Sequence, residues 1–481
     1  MVPHHIVALL HPAWGHTVSY IYIATQMLQK DPALVLTIVH HNVSILRMHA
    51  ELKMCDYDLA RLRLAGIGEK GATFADTMNQ LVDGWKELLK PLAEGDEQWP
   101  RPHSIHMDFF YGGYVVEHTK QVLGPECKIL SWFSSAAASM QAILSEYDFA
   151  AIALEIYSDK ERRLGRTEDE ILDQVVLAWN GSDRFSGSVI KCPGVPDMYD
   201  YERVGQASGP RAPGVSQLFV QAQNFAKYLD GYIVPTSTCL EPVGVPLCRE
   251  YYQKRGEELF IVGPQAVCWV DTAPVSPANP LVRSFLEGSL SQFGAKSILY
   301  ISFGQASIYL EPFPFIFALG GRMASLPEDV IQLVNSSGRG LICDFWVEQR
   351  AILQHEAVGW FLTHGGYNSI TESLAQGIPL IVWPLDAEQP VNAALFSAGP
   401  NPVAIELVQV RTGAQVAPSL REGPAITGTV ADASAELKAA FDAARGARGV
   451  GLRQNATKMA EALREARSGE ADEALTRLAR F

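Results

Sequence analysis

The sequence predicts an α/β protein made of two Rossmann-like domains of similar size. Three observations lead there. Short, fully apolar runs alternate with helical patterns from the N-terminus onward, as in parallel β-α-β units. The alternation breaks at a Pro- and Ala-rich stretch, GPQAVCWVDTAPVSPANP (Gly263 to Pro280), and then resumes. Finally, 481 residues with 48% apolar content are too many for one core and ample for two.

In order, Ile6 to Leu10 is an apolar run, a helical pattern follows from about Ser19 to Gln29, and Leu34 to Val39 is apolar again. Lys128 to Phe133, Gly231 to Val234 and Leu259 to Val262 read as further strands, and residues 150–225 as helices and loops decorating that sheet. The second series begins at SILYISFG (Ser297 to Gly304) and runs through PFIFAL, GLICDF, GWFLTH and PLIVWP. From Ser434 the chain is helical, with apolar residues at helical spacing in ATKMAEALREA. The expected division is residues 1–262, a linker over 263–290, a second domain over 291–450, and a helical tail, 451–481, returning towards the first domain across a cleft.

Net charge is −14, with 39 basic residues spread along the chain, which argues against nucleic acid as a partner. Anionic ligands must therefore be bound by helix ends or single side chains. Seven cysteines without C-x-x-C or metal spacing fit a reducing, cytoplasmic setting. The N-terminus has no basic n-region or cleavage site, and no run of 18 apolar residues suggests a membrane span.

The most informative stretch is GWFLTHGGYNSITESLAQGIPLIVWPLDAEQP, from Gly359 to Pro390. A strand leads through His364, Gly365 and Gly366 into a helix, at the carboxyl end of a sheet where such folds bind ligands. Two glycines admit close backbone approach, and a helix start suits phosphate. Asn368, Ser369 and His364 add side-chain donors, and Glu372, one turn on, could accept from ribose hydroxyls. The plainer alternative is a capping box, Ser369-Ile-Thr-Glu372, which needs no ligand. A His-Gly-Gly esterase loop would need a G-x-S-x-G elbow, which the chain lacks.

The stretch FWVEQRAILQHEAVGWFLTHGGYNSITESLAQGIPLIVWPLDAEQPVNAA resembles the signature box of family 1 UDP-glycosyltransferases over about forty-four residues, Trp346 to Gln389. The resemblance extends to HPAWGHT, GYIVPTSTCLE, IVGP and ILYISFG, and is loose over residues 40–100 and 150–225. It implies the GT-B fold and an inverting transfer of a sugar from a UDP-sugar, UDP-glucose foremost, to a hydroxyl of a small lipophilic acceptor such as a phenol, flavonoid, sterol or lipid. Trp346 would stack on uracil, and Gln349 would reach the uridine. His364, Gly366, Asn368 and Ser369, with Gly304, would hold the diphosphate, Glu372 the ribose, and Glu388 and Gln389 the sugar hydroxyls. No metal is implied, because helix ends and His364 can meet the diphosphate charge. The matching general base is His16, oriented by Asp108 of HMDFF; His11 reads as structural. Taken alone, His16 could simply serve the helix start, and Trp346 a core.

Two departures stand out: Tyr367 where the family most often has Trp, and Gln305 where SFGS becomes SFGQ, so that either Ser307 substitutes or the contact is absent. Rival readings remain. Gly66-Ile-Gly-Glu-Lys-Gly71 satisfies G-x-G-x-x-G, so an NAD-dependent oxidoreductase is one; a sugar-nucleotide binder without catalysis is another. Asp56-Tyr57-Asp58 is a D-x-D in a charged region. Nine residues, 305–313, separate Gly304 from Pro314, fewer than a parallel crossover needs, so a segment is expected to be missing there.

Overall fold

The computed structural model describes residues 3–69, 74–143, 148–179, 187–206, 215–265, 276–302, 313–319, 326–421, 423 and 425–481. The chain divides into two compact units. One comprises Met1–Trp179, Pro210–Ala266 and Ala466–Phe481, the other Asn180–Gly209 and Val267–Glu465. Residues 187–206 therefore pack with the second unit, although the sequence reading placed them in the first domain. Pro280–Phe293, at the end of the expected linker, is a helix.

The first unit is built on β1 (His4–Leu9), α1 (Trp14–Lys30), β2 (Leu34–His41), β3 (Leu62–Ile67), β4 (Ser104–Asp108), α2 (Phe109–Leu123), β5 (Lys128–Trp132), β6 (Gly231–Val234) and β7 (Glu258–Ile261). Among the described residues these strands form one parallel sheet in the order β3-β2-β1-β4-β5-β6-β7. Apolar runs such as Ile6 to Leu9 are buried to 0% exposure, because helices cover both faces. The alternating Arg and Leu of β3 mark it as an edge strand, half-exposed along most of its length. The C-terminal helix Glu470–Leu478 adds Leu475 and Leu478 to the core beneath α1.

β4 departs from the apolar pattern, since Ser104, His106 and Asp108 alternate along it and all are buried. Period-two alternation puts the three on one face, while Ile105 and Met107 enter the opposite core. α1 lies over the polar face. Tyr20 hydrogen-bonds the His106 Nδ1, and His16 takes Asp108.

The second unit contains β8 (Ile298–Ser302), β9 (Phe315–Ala318), β10 (Gly340–Cys343), α3 (Gln349–Gln354), β11 (Val358–Thr363), α4 (Tyr367–Leu374), β12 (Leu380–Val382), α5 (Gln389–Ser397) and β13 (Ala404–Glu406). Its parallel sheet runs β10-β9-β8-β11-β12-β13. β8 and β9 are direct neighbours, with Leu299 opposite Phe315. Residues 303–312 between them, and with them the expected missing crossover, lie outside the described residues. Among the described residues no helix is long and apolar enough to cross a membrane.

Both sheets reverse strand order once. β1 has β2 on one side and β4 on the other; β8 has β9 and β11. At such a switch point the connections leave towards opposite faces and open a crevice beyond the carboxyl ends of the strands. Asp108 ends β4 beside β1, and His16 follows β1. His364 follows β11 beside β8.

Candidate active site

In the first unit the chain leaves β1 at Leu9 and enters α1 at Trp14, which puts His16 in the first turn. That turn is held by several bonds. The Thr17 hydroxyl donates to the His11 carbonyl at 3.1 Å, and the Trp132 Nε1–H donates to the His16 carbonyl at 2.9 Å. The His16 Nδ1 stands 2.7 Å from the Asp108 Oδ2. His16 keeps 20% of its side-chain surface, whereas Asp108 keeps none. The other Asp108 oxygen accepts from the Phe110 N–H at 3.1 Å, so the carboxylate also caps α2.

Burial alone would raise the Asp108 carboxyl. The adjoining His16, then His11 and the Phe110 N–H, reverse this and hold it below its ordinary value. An ionised Asp108 can only accept, so the proton of a neutral His16 sits on Nδ1 and the lone pair on Nε2. His11 lies edge-on to His16, ring centroids 5.1 Å apart, and is 7% exposed. Burial first, and the His16 charge next, push it down to about 3, so it stays neutral at working pH. Phe109 and Phe110 flank the pair, their centroids 6.3 Å and 5.5 Å from the His16 ring, and Phe133 packs on Phe109.

In the second unit, β11 ends at Thr363 and α4 begins at Tyr367, with Gly366 as its cap and no capping side chain. Ser369 therefore lies inside the first turn, and the capping-box alternative does not apply. Gly365 has φ 91°, and a Cβ there would also press on Val382 at 2.7 Å. A Cβ on Gly366 would lie 2.5 Å from the His364 Nε2, so this glycine leaves the imidazole its place over the helix start. Burial lowers the His364 pKa, opposed by the Ser302 backbone; the ring is neutral near pH 7.

Gln349, the first residue of α3, joins several of the expected ligands. Its Nε2 donates to the Glu372 Oε2 at 2.8 Å and reaches the Ser369 hydroxyl at 3.3 Å, while its carbonyl accepts from the Tyr300 hydroxyl at 3.3 Å. Trp346, just before α3, is 61% exposed, which rules out the core reading of this indole. Tyr367, the departure from Trp, is buried at 2% exposure.

The loop from Pro384 to Glu388 leads into α5. Gln389 turns its side chain back, so that its Oε1 accepts the N–H groups of Leu385 at 2.9 Å and Asp386 at 3.0 Å. Its acceptor end is thus used within the loop, and only the amide NH2 is left to meet a ligand. Sequence reading missed Asn392, which is fully buried in α5 and donates to the Gly365 carbonyl at 3.0 Å. The signal was present: one amide in the apolar PVNAALF must find a buried partner. Gly304, Gln305 and Ser307 lie outside the described residues.

The rival motifs have local explanations. A Cβ on Gly66 would strike the Asn42 Oδ1 at 2.0 Å, and one on Gly68 would meet His41 and Gln80. Side chains fill the space a pyrophosphate would need, and the strand concerned is at the sheet edge; Gly71 lies outside the described residues. In the D-x-D, Asp58 accepts from the Ala60 N–H and pairs with Arg61.

Comparison with known proteins points the same way as the site. Residues 268–421 match the profile of the UDP-glucoronosyl and UDP-glucosyl transferase family. Over that segment the chain is similar to the UDP-glycosyltransferases. It is 30% identical over 320 residues to UDP-glycosyltransferase eriJ of Hericium erinaceus, covering 61% of this chain and 62% of that protein. With UDP-glycosyltransferase 90A2 of Arabidopsis thaliana it shares 33% identity over 220 residues, 43% of this chain and 44% of that one. The chain thus spans less than two thirds of the length of these curated relatives. Among solved structures, a UDP-glucosyltransferase from Polygonum tinctorium superposes with a TM-score of 0.69 at 20% identity, over 99% of this chain and 98% of that one. The chain thus has the expected GT-B fold of two Rossmann-like domains.

Proposed function

We propose that the chain moves a sugar, glucose foremost, from a UDP-sugar to the hydroxyl of a small lipophilic acceptor in the cytoplasm, inverting the anomeric carbon. The His16–Asp108 pair at 2.7 Å carries this reading beyond simple nucleotide binding. The His16 Nε2 takes the acceptor's hydroxyl proton, the oxygen attacks the anomeric carbon, and the bond to the β-phosphate oxygen breaks. Buried, ionised Asp108 stabilises the imidazolium that forms. The start of α4 and the His364 ring N–H meet the charge left on UDP. A single displacement inverts the centre.

Trp346 is the stacking surface for the base, Gln349 and Glu372 serve the uridine and ribose, and Asn368 and Ser369 the diphosphate. Glu388 and the Gln389 NH2 take the sugar hydroxyls. Related structures support the substrate classes: the Polygonum enzyme is capable of glucosylating indoxyl, and a Medicago truncatula protein of the same fold was solved with UDP-glucose. Incubation with UDP-glucose and a phenol, read by mass spectrometry, should add one hexose to the phenol and release UDP. No hexose transfer, or turnover with NAD instead, would overturn the proposal.

A further inference from the structure

The excursion 187–206 belongs to the second unit, and its end lies against the loop assigned above to the sugar. The Gln206 N–H donates to the Leu385 carbonyl at 2.8 Å. Gly205 is buried, and a Cβ there would come 2.5 Å from the Pro384 carbonyl oxygen and 2.8 Å from its carbon. Both atoms are backbone, so the loop itself would have to move. The Gln206 side chain also donates to the Val410 carbonyl at 3.0 Å.

This strap is anchored a few residues back. Glu202, 1% exposed, accepts from the N–H groups of Tyr199 and Leu420, each at 2.9 Å, and from the Ser419 hydroxyl, and faces Arg411 at 3.4 Å. Across the loop, the Gln389 Oε1 holds the Leu385 and Asp386 N–H groups. Leu385 is thus gripped through its carbonyl by the strap and through its N–H by Gln389. Two residues on, Ala387 has φ 56°, a conformation that persists only when its surroundings enforce it.

We propose that Gly205 and the Gln206 backbone N–H are positioning groups for the sugar. They fix Leu385 to Glu388, and through that loop they set affinity for the hexose half of a UDP-sugar without touching UDP. The inference rests on the assignment of Glu388 and Gln389 to the sugar. Gly205→Ala should raise the KM for UDP-glucose about five- to tenfold, the loss of roughly one hydrogen bond, and leave UDP affinity by calorimetry within about twofold. Amide exchange at Leu385 and Asp386 should quicken in the same variant.

An unchanged KM, or equal weakening of UDP and UDP-glucose, overturns the proposal, and so does unchanged exchange. Should Gly205→Ala fail to fold, exchange on the wild type decides. The Gln206, Leu385 and Asp386 amides should open together as urea rises, and UDP-glucose should protect Gln206 where UDP does not; independent opening refutes the strap. A wild-type chain that binds no UDP would instead sink the functional reading, while cooperative exchange of these amides would still identify the clamp.

Discussion

Replacing Asp108 by Asn tests the base more sharply than removing His16. The side chain sits between two partners whose demands differ. The Phe110 N–H, 3.1 Å from Oδ1, can only donate. In Asp108→Asn the amide oxygen must therefore stay with Phe110, which turns the NH2 towards the His16 Nδ1, 2.7 Å away in the wild type. That nitrogen must then accept, so the ring proton moves to Nε2 and the lone pair needed for the acceptor hydroxyl is gone. The imidazolium formed in the reaction also loses its buried counter-charge. General-base catalysis contributes on the order of 10²–10⁴ in rate, or about 3–5 kcal/mol. His16→Ala should lose that factor, and Asp108→Asn a similar one.

Both variants should bind UDP with unchanged affinity by calorimetry, because the proposed nucleotide contacts belong to the second unit. The loss should shrink for an acidic phenol, already partly ionised, relative to an aliphatic alcohol. Turnover would be measured on one of each at saturating UDP-glucose. Near-normal turnover of the alcohol by Asp108→Asn would refute the tautomer argument. The same result for His16→Ala would remove His16 as the base, and His11, with a pKa of about 3, would be a poor replacement.

Three further outcomes are expected. Trp346→Ala should weaken UDP by ~1–3 kcal/mol, the worth of one base stacked on an aromatic ring, and Trp346→Phe should recover most of it; calorimetry with equal affinities would refute the stacking role. Gln389→Glu keeps an oxygen for the Leu385 and Asp386 amides but replaces the NH2 with an acceptor, so it should raise the UDP-glucose KM about tenfold with UDP affinity unchanged; the wild type should prefer UDP-glucose to UDP-galactose at limiting donor. Finally, burial holds His5 and His40 near about 4 and His11 and His106 near about 3, below the ordinary 6.5. Between pH 6.5 and about 4 the unfolded chain takes up protons that the folded one refuses, so each contributes a stability loss of about 1.4 kcal/mol per pH unit as pH falls. Urea midpoints should drop between pH 7.5 and 5.5, and equal midpoints would refute the argument.

Much of the fold was legible because buried parallel strands read as apolar runs, and those runs are local. β1, β2, β8 and β11 stand where the sequence suggested. β4 was harder, since Ser104, His106 and Asp108 look unlike a central strand. The partners of His106 and Asp108, Tyr20 and His16, lie on a helix about ninety residues earlier, and no local pattern reports that pairing. The excursion 187–206 was placed in the wrong unit for a related reason. What holds it is Glu202 against residues 411 and 419–420, a separation of about two hundred residues.

The donor end shows where the identity of a residue stops being informative. Ser369 and Glu372 have the spacing of a capping box, yet the helix begins two residues before Ser369, at Tyr367, and a glycine cap leaves no side-chain signal. Gln389 marks the sugar loop by type alone, but its chemistry depends on what the oxygen is already doing. With two backbone N–H groups on Oε1, the side chain addresses a ligand as a donor only. A sugar hydroxyl facing it must accept, and the hydroxyl's own proton must go elsewhere. Glu388, the neighbouring carboxylate, is the acceptor that can take it. On the proposed assignment the two residues would read adjacent hydroxyls with opposite polarity, which a pair of carboxylates could not do. Inverting one hydroxyl, as galactose does, breaks that complement. Glu388→Gln should therefore blunt donor discrimination more than it slows the preferred donor, and rate ratios for UDP-glucose and UDP-galactose under limiting donor would measure it. An unchanged ratio would mean that Glu388 does not meet the sugar.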